Sequence, residues 1–130
     1  LALIETLGIG QHAVERARLV PGEDVLVVGA GPIGLATVQF ARAAGATVTV
    51  LESHPGRRAF AERFGATGTG DVGDRTFDAV FDATGNRAAM EASFERAAFG
   101  GRVVFVGLTL ERVSFADPLL HRRELTVLAS

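Results

Sequence analysis

Residues 24–44 are the part of this chain that most restricts how it can fold. Asp24-Val25-Leu26-Val27-Val28 is a short β-branched run, introduced by the turn Pro21-Gly22-Glu23-Asp24. Three glycines follow within Gly29-Ala30-Gly31-Pro32-Ile33-Gly34. From Ile33 onward, Ile33, Ala36, Thr37, Phe40, Ala41 and Ala44 recur at the spacing of one buried helical face. Gly45 suits the left-handed position that closes a helix. Strand, bare turn and helix in that order predict a corner where backbone amides stay uncovered.

The same rhythm continues down the chain. Residues 47–51 predict a second strand, and Pro55 to Phe64 a helix closed by Gly65. Residues 66–74, rich in Gly, Thr and Asp, allow at most a short strand. Residues 77–82 predict a strand, 87–98 a helix stopped at Gly100-Gly101, and 102–106 another strand. Val113–Phe115 reads as a short extended piece. Asp117–Arg122 reads as one or two helical turns, with Asp117 as N-cap and Pro118 at the first helical position. Residues 125–129 make the last strand. Nearly continuous apolar strands separated by helices imply a parallel sheet covered on both faces. Right-handed crossovers then make it doubly wound. The expected fold is α/β: a six-stranded, doubly wound parallel Rossmann sheet in three α/β/α layers. Residues 1–20 stand outside that rhythm as a leading helix and interdomain segment, with 21–130 as the nucleotide-binding domain. In that helix, Thr6 to Leu19, Gly8 and Gly10 each cost about 1 kcal/mol relative to Ala. They suggest a place of close packing.

Composition narrows the function. The chain has 130 residues, 48% of them apolar, which suits one domain with a true core. Glycine is 16 of 130 with no repeat period, pointing to tight turns. The net charge is −2 and basic residues do not cluster, so no nucleic-acid partner is expected. Cysteine is absent, which excludes disulfides, Cys-ligated zinc and a Cys nucleophile within the chain. That leaves the cytoplasm as the default compartment. No stretch approaches the ~18–20 apolar residues of a membrane span, so no membrane partner is expected. The first residue is Leu1 rather than Met, which suggests a fragment.

His12, His54 and His121 show no metal-ligand spacing, and no metal site is expected here. His12 reads as a packing or solvent residue, His54 as a neighbour of a bound ribose or of solvent only, and His121 as part of a charge cluster with Arg122 and Arg123. Asp78 and Asp82 read as capping or loop-bonding groups, not a catalytic carboxylate pair. Ser53 and Ser114 lack a recognisable His–Asp partner.

Each glycine at the corner has a physical role. Gly29 permits the tight turn, Gly31 lets a pyrophosphate approach the backbone, and Gly34 lets helix and strand pack closely. The helix N-terminus offers free N–H groups to phosphates. Pro32 fits there because its missing N–H would be an orphan of the first turn anyway. Glu52 follows the second strand directly, where a carboxylate accepts from both ribose hydroxyls of NAD and opposes a 2′-phosphate. NAD is therefore favoured over NADP, although Arg57 and Arg58 offset part of that repulsion.

The stretch Pro21-Gly22-Glu23-Asp24-Val25-Leu26-Val27-Val28-Gly29-Ala30-Gly31-Pro32-Ile33-Gly34 resembles the cofactor domain of medium-chain, zinc-dependent alcohol and polyol dehydrogenases, in the sorbitol, threonine and galactonate-type branch. Leu3-Ile4-Glu5-Thr6-Leu7 to His12-Ala13-Val14, Phe77-Asp78-Ala79-Val80-Phe81-Asp82-Ala83-Thr84-Gly85, and Gly100-Gly101-Arg102-Val103-Val104-Phe105-Val106-Gly107 match the same family. The resemblance implies that Gly29, Gly31, Pro32, Ile33 and Gly34 line the pyrophosphate. It implies that Glu52 holds the adenosine ribose, with Arg57 near the adenine or that ribose. Ala83 and Thr84 would border the adenosine half. Val106, Gly107 and Leu108 would face the nicotinamide, with Ala129 and Ser130 near its carboxamide. Glu5 matches a glutamate beside the catalytic zinc of polyol-type members, although the usual Pro after it is Thr6 here. Zinc itself would sit only in a separate catalytic domain missing from this chain. Subunit pairing near Val113–Phe115 would make a homo-oligomer.

The expected function is thus the NAD-binding domain of an oxidoreductase acting on CH-OH groups, inactive as an isolated piece. Two alternatives stand beside it: a zinc-free, NADPH-dependent quinone-reductase-like protein, and a non-catalytic nucleotide-sensing module.

Overall fold

The computed structural model describes residues 2–130. Their elements in chain order are α1 (Ala2–Ala17), β1 (Asp24–Val28), α2 (Pro32–Ala43), β2 (Thr47–Leu51), α3 (Pro55–Glu62), β3 (Thr67–Thr69), β4 (Phe77–Asp82), α4 (Arg87–Arg96), β5 (Ala97–Phe105), α5 (Asp117–Arg122) and β6 (Thr126–Ala129). The β-branched runs pair as one six-stranded sheet in the order β3-β2-β1-β4-β5-β6. Every pair is parallel. The expected doubly wound sheet is present.

Period-two alternation along the strands sorts their side chains into two cores. Val25 and Val27 of β1, Val48 and Val50 of β2, and Phe81 of β4 share a core with Ala13 and Ala17 of α1, Val38 and Ala41 of α2, and Ala61 of α3. Leu26, Val28, Val80 and Val103 turn to the other face, where they meet Phe77, Phe94 and Val72. The leading helix therefore belongs to the first core. A Cβ added at Gly10 would lie 2.8 Å from both the Cβ and the carbonyl carbon of Ala36 on α2, so this glycine permits the helix crossing. Gly8 has nothing within 4 Å and permits none.

Several boundaries differ from the sequence reading. Strand β5 begins at Ala97 and runs through Gly100-Gly101, where a stop is expected. An irregularity in its register against β4, between Phe77 and Ala79, absorbs the glycines, and Gly100 has a φ of +72°. Helix α4 accordingly ends at Arg96. Ala116, not Asp117, is the N-cap of α5, and no side chain caps it. Pro118 serves equally one position later, since neither early amide has an intrahelical acceptor. Asp117 instead pairs with His121, Oδ1 to Nδ1 at 3.1 Å. Residues 113–115 form no strand.

Four crossovers carry a helix: α2, α3, α4 and α5. The fifth, from β3 to β4, must pass over both β2 and β1, and does so with residues 70–76 and no helix. Val72, 6% exposed, plugs the space above Leu26 and Val28. The Arg75 guanidinium lies 4.8 Å from the centre of the Phe77 ring, covering the edge of the same core. Among the described residues, no helix is long and apolar enough to cross a membrane.

Candidate functional site

Strand order reverses at β1, with β2 and β3 on one side and β4 to β6 on the other. Open α/β sheets take ligands at the carboxyl ends of the strands at such a reversal. Here β1 ends at Gly29, whose φ of +98° is one that L side chains rarely adopt. Its N–H donates to the Leu51 carbonyl at 2.9 Å, fastening the corner to the tip of β2. A Cβ at Gly34 would run into the Gly29 carbonyl oxygen, so only glycine lets α2 start so close to the turn. At Gly31 a Cβ would meet nothing within 4 Å: this side of the turn faces open space. No side chain caps the N-terminus of α2.

Glu52 stands opposite, directly after β2. Its Oε1 accepts from the Ala30 N–H at 3.0 Å and from Arg57 Nε at 3.2 Å. Its Oε2 accepts from the His54 N–H at 3.0 Å and from Arg57 Nη2 at 3.4 Å. Burial pushes the carboxyl pKa up, but the His54 amide, the Arg57 guanidinium and the Ala30 amide outweigh it and hold it at about 2. The carboxylate thus ties the glycine turn to the second strand. It is 8% exposed, while Arg57, its partner, is 54% exposed. His54 acts as a cap: its Nδ1 accepts from the Gly56 and Arg57 amides at 3.1 and 3.2 Å at the start of α3. Neither of the two expectations for His54, ribose neighbour or solvent residue, anticipates that role.

Asp82 ends β4 with no exposure. It accepts from the Thr84 amide at 3.0 Å, the Thr84 hydroxyl at 2.9 Å and the Gly85 amide at 3.3 Å. Burial nevertheless pushes its carboxyl up, against these bonds and the charge of Arg96. Asp82 shapes the loop that forms the far wall of the site, and Asp78 accepts from the Asp24 amide at 2.8 Å. Asp82 bonds its loop, as expected, whereas Asp78 holds the first amide of strand β1.

Gly29, Gly31, Pro32, Glu52, Arg57, Ala83 and Thr84 line one cleft of about 610 Å³. Ile33 and Gly34 stand behind it: Ile33 packs on the first core and Gly34 is buried in the turn. Val106, Gly107 and Leu108 line a second cleft of about 420 Å³, together with Ala129 and Ser130. The Gly107 backbone lies so close to Gly85 that a Cβ would strike its nitrogen, so the loops after β4 and β5 touch. Glu5 is exposed on α1 and lines neither cleft. Among the described residues, no three His, Cys, Asp or Glu could hold a metal together. Leu51, Ser53, Gly70, Asp71 and Arg96 also line the larger cleft and were not expected there. Arg96 comes from the far end of α4, and no local pattern announces it. Another cleft of about 610 Å³, lined by His12, Arg16, Arg18 and Arg102 among others, lacks the glycine turn.

Chemically, the cleft at Gly31 offers backbone donors and an uncapped helix start on one wall and a carboxylate on another. These fit an extended diphosphate with a hydroxyl-bearing sugar beside it.

A family model described as zinc-binding dehydrogenase matches residues 32–130. L-galactonate-5-dehydrogenase of Escherichia coli K12 is 43% identical over 142 aligned positions, covering 99% of this chain and 42% of that protein. The aligned span is longer than this chain, so that relative carries residues within it that this chain lacks. The structure of 2R,3R-butanediol dehydrogenase from Bacillus subtilis superposes with a TM-score of 0.90 at 27% identity, covering 99% of this chain and 41% of that one. A protein of Sinorhizobium meliloti 1021 bound to NADP superposes with a TM-score of 0.89 at 33% identity, covering 96% and 42%. This chain therefore spans about two fifths of the length of these relatives. From the first turn of α2 to the end of β6, it belongs to the zinc-binding dehydrogenase family.

Proposed function

We propose that this chain is the NAD-binding part of a zinc-dependent polyol dehydrogenase, with residues 1–20 leading from a catalytic domain into the nucleotide domain of residues 21–130. One observation carries the reading: the bare turn at Gly31 and the Glu52 carboxylate share a single cleft at the reversal point of the sheet. The Gly31 backbone and the start of α2 take the diphosphate, with Pro32 shaping the approach, Ile33 anchoring the helix start on the first core and Gly34 keeping the turn close. Glu52 exchanges its Arg57 bonds for the ribose hydroxyls, and Ala83 and Thr84 border the adenosine half. Val106, Gly107 and Leu108 border the nicotinamide. Bound there, the nicotinamide supplies a hydride acceptor for an alcohol carbon. The zinc ligands and the substrate pocket come from the catalytic domain, with Glu5 near the metal. A homodimer, paired near residues 113–115, and a cytoplasmic setting complete the proposal.

Isothermal titration of the chain with NADH and NADPH tests it. NADH is expected to bind at least tenfold tighter, and Glu52→Gln to narrow that gap. A folded chain that binds neither would remove the proposal. The NADP held by the S. meliloti relative supports a second reading, in which Arg57 leaves Glu52 for a 2′-phosphate. Tighter binding of NADPH would establish that one instead.

A further inference from the structure

Arg96 is the last residue of α4, yet it lines the same cleft as Gly31 and Glu52. It also lines a neighbouring cleft of about 420 Å³ with Gly73 and Asp74 of the β3–β4 crossover. A helix laid across β2 and β1 would occupy the space through which it reaches. That crossover is residues 70–76, without a helix. The Arg96 charge acts on buried Asp82 at the end of β4. Among the described residues Arg96 makes no hydrogen bond or ion pair, whereas Arg57, the other cation of the cleft, is held by Glu52.

The order of groups in a dinucleotide decides what this free guanidinium meets. With the diphosphate at Gly31 and the ribose at Glu52, the base must continue into the part of the cleft that remains. The remaining lining is Val28 and Leu51 from the sheet, Gly70 and the carboxylate-bearing Asp71 from the crossover, Ala83 and Thr84 after β4, and Arg96. Apolar sheet residues and a planar cation lining one cleft suit a flat aromatic ring, since guanidinium planes stack on bases. Resting on the dinucleotide reading above, we propose that Arg96 closes the adenine slot and stacks on the base. It is a specificity-determining residue reaching the site through the gap left by the short crossover.

The test uses ADP-ribose, which carries the base, ribose and diphosphate without the nicotinamide. Titration calorimetry compares the wild-type chain with Arg96→Gln, which keeps the side-chain stem, and Arg96→Lys, which keeps the charge but not the plane. Thermal melts verify that each variant is folded. The chain contains no Trp or Tyr, and the weak bands of its nine Phe are removed by subtracting the circular dichroism of the free chain, so the induced signal of bound adenine can be read. About tenfold weaker binding in both variants, with the adenine dichroism lost, is the expected result. Full recovery of affinity in Arg96→Lys, together with a loss in Arg96→Gln that disappears at high salt, would show a charge acting on phosphate and overturn the stacking assignment. Unchanged affinity and dichroism in both variants overturn the role of Arg96 while leaving the dinucleotide reading intact. Absence of ADP-ribose binding by the wild type overturns both.

Discussion

Val25 and Val27 of β1 pack into a core shared with three helices, while their neighbours Leu26 and Val28, on the opposite face, lie under the loop of residues 70–76. The first face is closed by α1, α2 and α3, with small residues such as Ala13, Ala17, Ala41 and Ala61 at the contacts. On the second face α4 packs on β4 and β5, and β1 and β2 are left to Val72 and its loop. Nothing in the strands themselves demands this difference, since both faces of β1 are equally apolar. It comes from the length of one connection. The consequence reaches the candidate site, because the thinly covered face is the one through which Arg96 enters the cleft.

Three experiments put this contrast between the faces at risk. The biggest change is expected where the thin cover is a single side chain. Val72→Asp would bury a carboxylate against Leu26 and Val28 without a partner, costing about 3 kcal/mol or more. Urea unfolding measures it, and a change under about 0.5 kcal/mol would mean that the loop covers nothing.

Acid probes the strand tips between the two faces. Glu52 has its folded pKa lowered to about 2 from 4.5, so its stabilisation is complete above 4.5 and is lost as pH falls from there through 2. The full shift corresponds to about 3 kcal/mol, and the exposure of Arg57 reduces this to about 2 kcal/mol. Asp82 acts in the opposite sense: its raised folded pKa means that protonation relieves a cost as pH falls. Unfolding free energies measured from about pH 6 to about pH 3 should fall in the wild type and fall less in Glu52→Gln. Equal slopes for the two proteins would show that the Glu52 bonds are not holding the glycine turn.

The most modest changes have opposite signs on one helix. Gly10→Ala pushes a methyl into Ala36 and should cost about 1–2 kcal/mol. Gly8→Ala, with open space around it, should gain about 0.5–1 kcal/mol from helix propensity alone. Thermal melting of the two variants measures the pair. If both stabilise, α1 does not pack on the first face as closely as the structure has it.

Much of the fold was legible because its signals are local. The β-branched run before Gly29, the helical spacing of Ile33 to Ala44, and the turn at Gly45 all act within a few residues. So does the spacing that puts Glu52 at the tip of the second strand, where it meets the turn through the Ala30 amide. Other readings slipped where two local signals compete. Gly100-Gly101 looks like a helix stop, but the strand pairing of Ala97 with Phe77 pulls the boundary back and turns the glycines into a register irregularity. His54 carried a cap signal, a ring nitrogen two residues before Gly56, that its position beside Glu52 obscured.

The order of amino acids was enough to place the changes of chain direction, the residues that face a core, and a bare corner meeting an acid at one edge of the sheet. These follow from torsional preference, side-chain alternation and turn chemistry, which act over a few residues. Packing in three dimensions was needed to single out Gly10 rather than Gly8 as a contact, and to pair Arg102 with Glu23 across 79 positions. It was needed again to bring Arg96 into the cleft. Each of these depends on how one element is laid over another, and so on distances in space that no short stretch of chain encodes.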